Sequence, residues 1–229
     1  MQATGAVHRA TLAQADDRDA EKAKSRTKEA LSNRVTWLVA AFLLGYVGVE
    51  VSFGGWLVTF MLRVRDGGNF ESGLVVTGFW LGLTVGRVVL GFITGRIGEK
   101  IAIVGYLVLS MASELMFWLI GSFLSSAIFA GLLGFFLGPL FPAAIIEASR
   151  LLPRHLHVSA IGFAAAFGGG GAAVFPFAVG AIAEAKGVQV LQPIALALLA
   201  TILLIWCLLP GGFKKKSPKR IKLEQAGVP

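Results

Sequence analysis

The stretch FWLGLTVGRVVLGFITG, from Phe79 to Gly95, is almost entirely apolar and carries one permanent charge, Arg87. A helix needs about 20 apolar residues to cross a hydrocarbon core about 30 Å thick, and this stretch with its flanks is long enough. A charge inside such a run costs about 3 kcal/mol on insertion scales, so its side chain is expected to face protein or water. The stretch therefore predicts a membrane-spanning helix with a polar face at Arg87.

Five further apolar runs of this length occur in the chain, which predicts an all-α membrane protein with six transmembrane helices. The predicted spans are Val35–Leu62, Ser72–Gly95, Ile101–Ile120, Ser126–Ala148, Val158–Ile182 and Val188–Leu209.

Composition agrees with a membrane protein. Hydrophobic residues make up 55% of the 229 residues and charged residues 15%, whereas soluble domains carry about 25% charged residues. The net charge of +8 could indicate nucleic acid, but the apolar runs favour a lipid bilayer as the partner. The single cysteine, Cys207, builds no disulfide framework or cysteine metal site. We expect no cofactor, no metal and no nucleic acid.

The basic residues predict the orientation of the spans. An even number of spans places both termini on one side, and cytoplasmic segments carry an excess of Lys and Arg. With both termini inside, inside segments hold 17 of the 21 basic residues and outside loops hold three. The sequence therefore predicts a cytoplasmic charged segment at 1–34, a six-helix bundle at 35–210 and a cytoplasmic basic tail at 211–229. The run KKKSPKR, Lys214–Arg220, is expected to anchor this topology beside the headgroups.

Small residues and prolines are placed where they can shape such a bundle. Membrane helices associate by close packing over small residues, and three groups have the spacing for it: Gly78, Gly82 and Gly86; Gly91 and Gly95; Gly134 and Gly138. Proline removes a helix hydrogen bond and kinks the axis, which predicts kinks at Pro139, Pro142 and Pro176. These kinks are either static or serve the opening and closing of a central cavity, and both interpretations remain open.

Three ionisable residues lie within the spans: Glu50, Arg87 and Glu114. Residue counting places Glu50 about 22 Å and Arg87 about 12 Å from the inner ends of their helices, so a direct ion pair is doubtful. Tyr46 shares a helix face with Glu50, and Trp80 shares one with Arg87, which favours a water-filled polar cavity. The alternative is a structural role, as an ion pair or as a hydrogen bond to a kinked backbone. Glu114, near the outer interface, is expected to be structural.

The stretch GFITGRIGEK, Gly91–Lys100, resembles the signature loop of the major facilitator superfamily, and specifically the copy between helices eight and nine. It keeps Gly91, Arg96, Gly98 and Lys100 and departs at Gly95, where that loop has an acid. Further stretches resemble the fucose permease-like branch and its fungal members: GYVGVEVSFGGW (Gly45–Trp56), GR (Gly86–Arg87), GPLFP (Gly138–Pro142) and GGGGAAVFPFAVGAIAEAKG (Gly168–Gly187).

The resemblance implies that this chain is the C-terminal six-helix half of a two-half transporter. Spans one, two, four and five would line the path, and spans three and six would support them. Its partner would be the missing N-terminal half-bundle or a second copy. Proton-coupling carboxylates of the family lie mostly in the missing half, so coupling does not transfer to this chain.

The function expected first is transport of a small polar solute, with a sugar as the candidate. Solute binding or coupling is expected at Glu50, Arg87, Trp56, Trp80 and Tyr46, and conformational change at Gly91, Arg96, Gly98, Pro139, Pro142 and Pro176. Arg96, with Glu99 and Lys100, is expected to form a hinge or anchor. The alternative is a truncated or regulatory membrane protein that transports nothing and pairs with another chain. An enzyme is not expected, because the three histidines lie in a tail and a loop rather than at one depth.

Overall fold

A computed structural model describes residues 21 and 23–210, and every regular element in those residues is helical. A helical segment at 23–32 leads into the bundle. The helices are α1 Arg34–Val64, α2 Asn69–Ile97, α3 Glu99–Leu119, α4 Phe123–Leu137, α5 Leu140–Leu151, α6 His157–Gly169, α7 Gly171–Lys186 and α8 Leu191–Leu208. The charged run at Lys214–Arg220 and most of the predicted tails lie outside the described residues.

Six spans in the described residues are long and apolar enough to cross a membrane. Four are single helices or nearly so, whereas α4 with α5 makes the span Phe123–Leu151 and α6 with α7 makes the span Arg154–Lys186. Each lies within four residues of its predicted ends. The prediction of an all-α, six-span membrane protein is therefore confirmed.

The connections between helices are short, and their residues match the backbone they adopt. Asn33 precedes α1 and accepts a hydrogen bond from the Val35 amide at 2.9 Å, as an N-cap does. Gly98 is the one residue between α2 and α3, and its φ of 100° lies in the region that favours glycine. The predicted loop between spans two and three is thus a single residue.

α1 is the central helix, and its buried aromatic side chains join it to its neighbours. Phe42 packs against Trp206 of α8, and Phe53 packs against both Phe79 of α2 and Phe117 of α3. α1 also packs along α6 and α7. Because other helices surround most of α1, side chains in the middle of α1 face protein.

Glycines let α2 and α4 approach backbone to backbone. A Cβ at Gly82 or Gly86 would overlap the carbonyl oxygens of Gly131 or Phe135, and one at Gly134 would overlap that of Phe79. This confirms the predicted packing at those glycines and at Gly138. It is wrong for Gly78 and for the pair Gly91 and Gly95, where no atom of a neighbouring helix would lie within 4 Å of an added Cβ.

Two spans break in the middle. The fourth span breaks at Gly138 and Pro139, between α4 and α5, and the fifth breaks at Gly170, between α6 and α7. Pro142 lies in the first turn of α5, where a missing N–H is tolerated. Pro176 lies inside α7, which continues through it. The predicted irregularities are present, although the fifth span breaks at its glycines rather than at its proline.

Candidate functional site

Glu50 of α1 and Arg87 of α2 form an ion pair at membrane depth. Arg87 Nη2 donates to Glu50 Oε1 at 3.3 Å. The expectation that a direct ion pair is doubtful was therefore wrong. Residue counting measures depth only along axes parallel to the membrane normal, whereas membrane helices tilt by about 20° on average, and the long arginine side chain spans part of the remaining offset.

Arg87 has a second partner, the backbone of the broken span. Its Nε donates to the carbonyl oxygen of Gly138 at 3.2 Å. In an α-helix this carbonyl would accept from the residue four positions later, which is Pro142 and has no N–H. Proline thus frees the acceptor that Arg87 uses. Both structural alternatives for Arg87, the ion pair and the bond to a kinked backbone, are realised together.

These contacts leave Arg87 half exposed. Its side chain is 45% exposed, whereas that of Glu50 is 12% exposed. Carboxylate and guanidinium compensate each other's charge, which makes the pair tolerable at this depth. The exposed part of the Arg87 guanidinium still offers hydrogen-bond donors. The ion pair can therefore bind polar groups of a solute that carries no charge.

Tyr46 lies one turn before Glu50 and is fully buried. Its hydroxyl lies near the Glu50 carboxylate and the Arg87 guanidinium but has no hydrogen-bond partner among the described residues. Three of the five predicted binding residues are therefore brought together, with Tyr46 beneath the ion pair rather than open to a solute.

Trp80 belongs to the exposed face of α2 that also carries Arg87. Its ring covers Gly54 of α1, where an added Cβ would lie 2.7 Å from the indole, and 38% of the residue stays exposed. Thr77 and Thr84 lie on the same face and are also exposed. The exposed stripe of α2, defined by Thr77, Trp80, Thr84 and Arg87, combines one aromatic surface with hydroxyl and guanidinium groups.

Trp56 is placed apart from the other predicted binding residues. Its Nε1 donates to the Pro176 carbonyl oxygen at 3.1 Å, and its ring lies against Gly180 of α7. In this position Trp56 joins α1 to the helix that contains the internal proline. A role for Trp56 in solute binding stays a prediction.

The predicted hinge residues fall into two groups. Pro139 and Pro142 flank the break beside Arg87, and Pro176 lies at the Trp56 contact. Gly91 and Arg96 lie on the last two turns of α2, after Arg87, where both are exposed, and Gly98 follows the helix. Pro139 and Pro142 are joined to the ion pair through Gly138, Pro176 is joined to Trp56, and the second group lies toward the α2–α3 connection. A hinge role for any of these residues stays a prediction.

Charged residues at the α2–α3 end of the bundle join α3 to α5 and to α8. Arg150 of α5 pairs with Glu99 and, at 3.7 Å, with Glu147. Lys100 Nζ donates to the carbonyl oxygens of Trp206 and Leu209 at 2.6 and 2.7 Å. A cation at the C-terminus of a helix interacts favourably with its exposed carbonyls. Of the predicted anchor set, Glu99 and Lys100 hold helix ends.

Sequence reasoning missed the Gly138 carbonyl as a functional group. A hydrogen bond to a kinked backbone was expected as one alternative, but Gly138 was expected to pack and its carbonyl was not identified as the acceptor. The signal was present: a proline at position i frees the carbonyl at i−4, and an arginine on the adjacent span can reach it. Glu114 is fully buried in the described bundle, and its expected structural role stays a prediction.

Comparison with known proteins identifies the family. Residues 66–228 match the Major Facilitator Superfamily. The chain belongs to the Major Facilitator Superfamily. It is a multi-pass membrane protein of this superfamily, as the resemblance of its signature loop predicted.

Relatives of this superfamily member include a fungal and a bacterial protein. The chain is 35% identical over 206 residues to "Bypass of stop codon protein 6" of Saccharomyces cerevisiae, covering 86% of this chain and 41% of that protein. It is 29% identical over 146 residues to the "Glucose/mannose transporter GlcP" of Bacillus subtilis, covering 61% of this chain and 34% of that protein. The chain spans less than half the length of these relatives.

The fold matches solved structures of the superfamily. The E. coli fucose:proton symporter FucP superposes with a TM-score of 0.74 at 15% identity, over 82% of this chain and 46% of FucP. A structure of FucP in the outward conformation gives a TM-score of 0.71 at 16% identity, over 80% of this chain and 45% of FucP. At this identity the likeness establishes the fold, which corresponds to just under half of the symporter.

Proposed function

We propose that this chain is one half-bundle of a transporter that moves a small polar solute by alternating access, and that the solute is a sugar. The observation that carries the proposal is the Glu50–Arg87 ion pair, bound to the Gly138 carbonyl of a broken span and open on one side. Transporters place their binding sites near the bilayer midplane, at helices that break there. The family and the sugars named for GlcP and FucP support this choice.

The charge balance of the site favours a neutral solute. Arg87 is compensated by Glu50, so an anionic solute would have to compete with an existing carboxylate. Hydroxyl groups can accept from the open guanidinium and donate to the free carboxylate oxygen, and the Trp80 ring offers an apolar surface beside them. These are the groups that a sugar needs.

The partner in transport would be a second six-helix bundle, either an N-terminal half or another copy of this chain. Alternating access requires two bundles that move about a shared site. The exposed stripe of α2 and much of α7 are only partly covered by other helices of the described chain. These faces would line the cavity between the two bundles. Both termini are proposed to be cytoplasmic, from the bias of basic residues.

The experiment is sugar uptake by the complete two-half protein carrying Glu50→Gln or Arg87→Ala. Arg87→Ala removes the guanidinium donor that would bind the solute, and one charge-assisted hydrogen bond is worth about 1.5–3 kcal/mol, so we expect uptake to fall by about tenfold to about a hundredfold. Glu50→Gln keeps the shape and should lower uptake about tenfold. Thr201→Ala, on the exposed side of α8, is the control and should leave uptake unchanged.

Surface expression is measured in parallel, because transport and folding must be separated. Wild-type uptake in both site variants at normal surface level would contradict a role of the ion pair in the solute path. Normal surface level, intact sugar binding and no uptake at all in the unmodified protein would instead favour the non-transporting alternative.

A further inference from the structure

Glu114 is a buried acid that the proposed solute site does not use. It lies on α3 five residues before Leu119, its exposed fraction is 0%, and neither carboxyl oxygen has a hydrogen-bond partner among the described residues. Buried polar groups nearly always have partners, and an ionised carboxylate without one is far more costly. An ionised Glu114 carboxylate without a partner would therefore be unstable at this position.

The charges on the surrounding helices do not compensate Glu114. Glu50 of α1 is paired with Arg87, and Arg65, just after α1, donates to Phe117, Trp118 and Ser126. Lys100 lies at the opposite end of α3, about 21 Å along the axis, and binds the end of α8. None of these charges forms an ion pair or a hydrogen bond with the Glu114 carboxyl group among the described residues.

Helix register brings Gln192 of α8 to the same level as Glu114 of α3. α3 and α8 run antiparallel, because Lys100 at the start of α3 contacts Trp206 at the end of α8. Glu114 follows Lys100 by 14 residues, and Gln192 precedes Trp206 by 14 residues. Each 14-residue interval stays on one buried face of its own helix. The face of α3 carries Lys100, Ile103, Leu107, Ser110 and Glu114, and the face of α8 carries Gln192, Ala195, Leu199, Ile202 and Trp206.

Two hydroxyls belong to the same buried region. Ser110 lies one turn before Glu114 on the face just described, and Ser52 lies on the face of α1 that packs against α8 through Phe42 and Gly45. Like Gln192, both are at most 3% exposed, and their polar atoms have no hydrogen-bond partner in the described chain. Glu114, Gln192, Ser52 and Ser110 form what we name the α3–α8 polar cluster.

We propose that the α3–α8 polar cluster is a proton-binding site, in which Glu114 carries a proton as a neutral carboxylic acid. A neutral acid supplies one donor, which the Gln192 amide oxygen or a serine hydroxyl can accept. The terminal torsions of Glu and Gln are broad, so these groups can meet by rotation. The site goes beyond the proposed solute path: it lies among α1, α3 and α8, whereas the ion pair bonds to the α4–α5 break.

The test is infrared spectroscopy of the full chain in lipid nanodiscs at neutral pH, comparing wild type with Glu114→Gln. We expect the difference spectrum to show the loss of one carboxylic-acid carbonyl band that shifts in deuterium oxide. The matched control is Glu50→Gln, which should remove carboxylate bands because Glu50 is ionised in its pair with Arg87. Loss of carboxylate bands in Glu114→Gln would overturn the proposal.

A second variant keeps the test decisive if Glu114→Gln does not fold. Gln192→Leu removes the expected acceptor while leaving Glu114 in place, so the acid band should persist and move to higher frequency. An acid band that is absent from Gln192→Leu and wild type alike would overturn the proposal. Replacement of the band by carboxylate bands when sodium is added would also overturn it, in favour of a metal ion.

Discussion

At the scale of the residue, Arg87 depends on a carbonyl that proline leaves free. Pro142→Ala would restore an N–H that competes for the Gly138 oxygen, so we expect the break to close partly and Arg87 to lose a partner now at 3.2 Å. Uptake by the two-half protein should fall about tenfold, the effect of one charge-assisted hydrogen bond, without loss of thermal stability. Pro153→Ala, before the short helix at Arg154–Leu156, is the control. Wild-type uptake in Pro142→Ala would show that the carbonyl does not position Arg87.

The same residues mark the limit of prediction from sequence. Glu50 and Arg87 could be found because charges in apolar runs are conspicuous. Their pairing could not, because helix tilt and side-chain reach are set by how α1 and α2 pack. Tyr46 was placed correctly beside Glu50 by helix periodicity, whereas Trp56, six residues further along, faces α7 instead. Periodicity assigns a face but does not say which neighbour covers it.

At the scale of the element, the contact between α2 and α4 depends on the absence of side chains. A Cβ at Gly138 would lie 2.3 Å from the Leu83 carbonyl oxygen and 2.7 Å from the Arg87 amide nitrogen. Because both are backbone atoms, the helices would have to separate. We expect Gly138→Ala to destabilise the bundle by about 1–3 kcal/mol, as overpacking does, measured by thermal unfolding in detergent.

Gly78→Ala is the matched control for this prediction, since Gly78 lies on α2 with nothing within 4 Å of an added Cβ. Alanine favours a helix over glycine, so this variant should keep or raise the unfolding temperature. Equal losses in both variants would mean that helix flexibility, rather than the approach of α2 to α4, sets stability.

Element boundaries were largely predictable because length and apolarity alone define a membrane span. The break at Gly138–Pro139 was signalled by its prolines. The break at Gly170 was not separable from the kink expected at Pro176, because a run of four glycines from Gly168 offers several places for a helix to end. Glycine spacing likewise predicted close packing at Gly91 and Gly95, but spacing carries no information on whether a neighbouring helix lies there.

At the scale of the whole molecule, the orientation in the membrane can be tested with one cysteine at a time. Cys207 is the single cysteine of the chain, so Cys207→Ala gives a clean background. With both termini cytoplasmic, Gly121→Cys between α3 and α4 should react with a membrane-impermeant thiol reagent on intact cells. Ser25→Cys in the leading helical segment should react after permeabilisation. The reverse pattern would contradict the proposed orientation.

Sugar transport by this chain is expected to require a second six-helix bundle. The exposed stripe of α2 offers Arg87 and Trp80 on a face that the described helices leave open, and alternating access needs a second bundle to close over it. Membrane vesicles that contain this chain alone should therefore show no sugar uptake above empty vesicles. Co-expression with the N-terminal six-span half of a full-length relative should restore uptake, and Arg87→Ala in this chain should remove it again. Saturable uptake by the chain alone would require that two copies supply both bundles, which crosslinking through Thr84→Cys on the exposed stripe would then reveal as a covalent dimer.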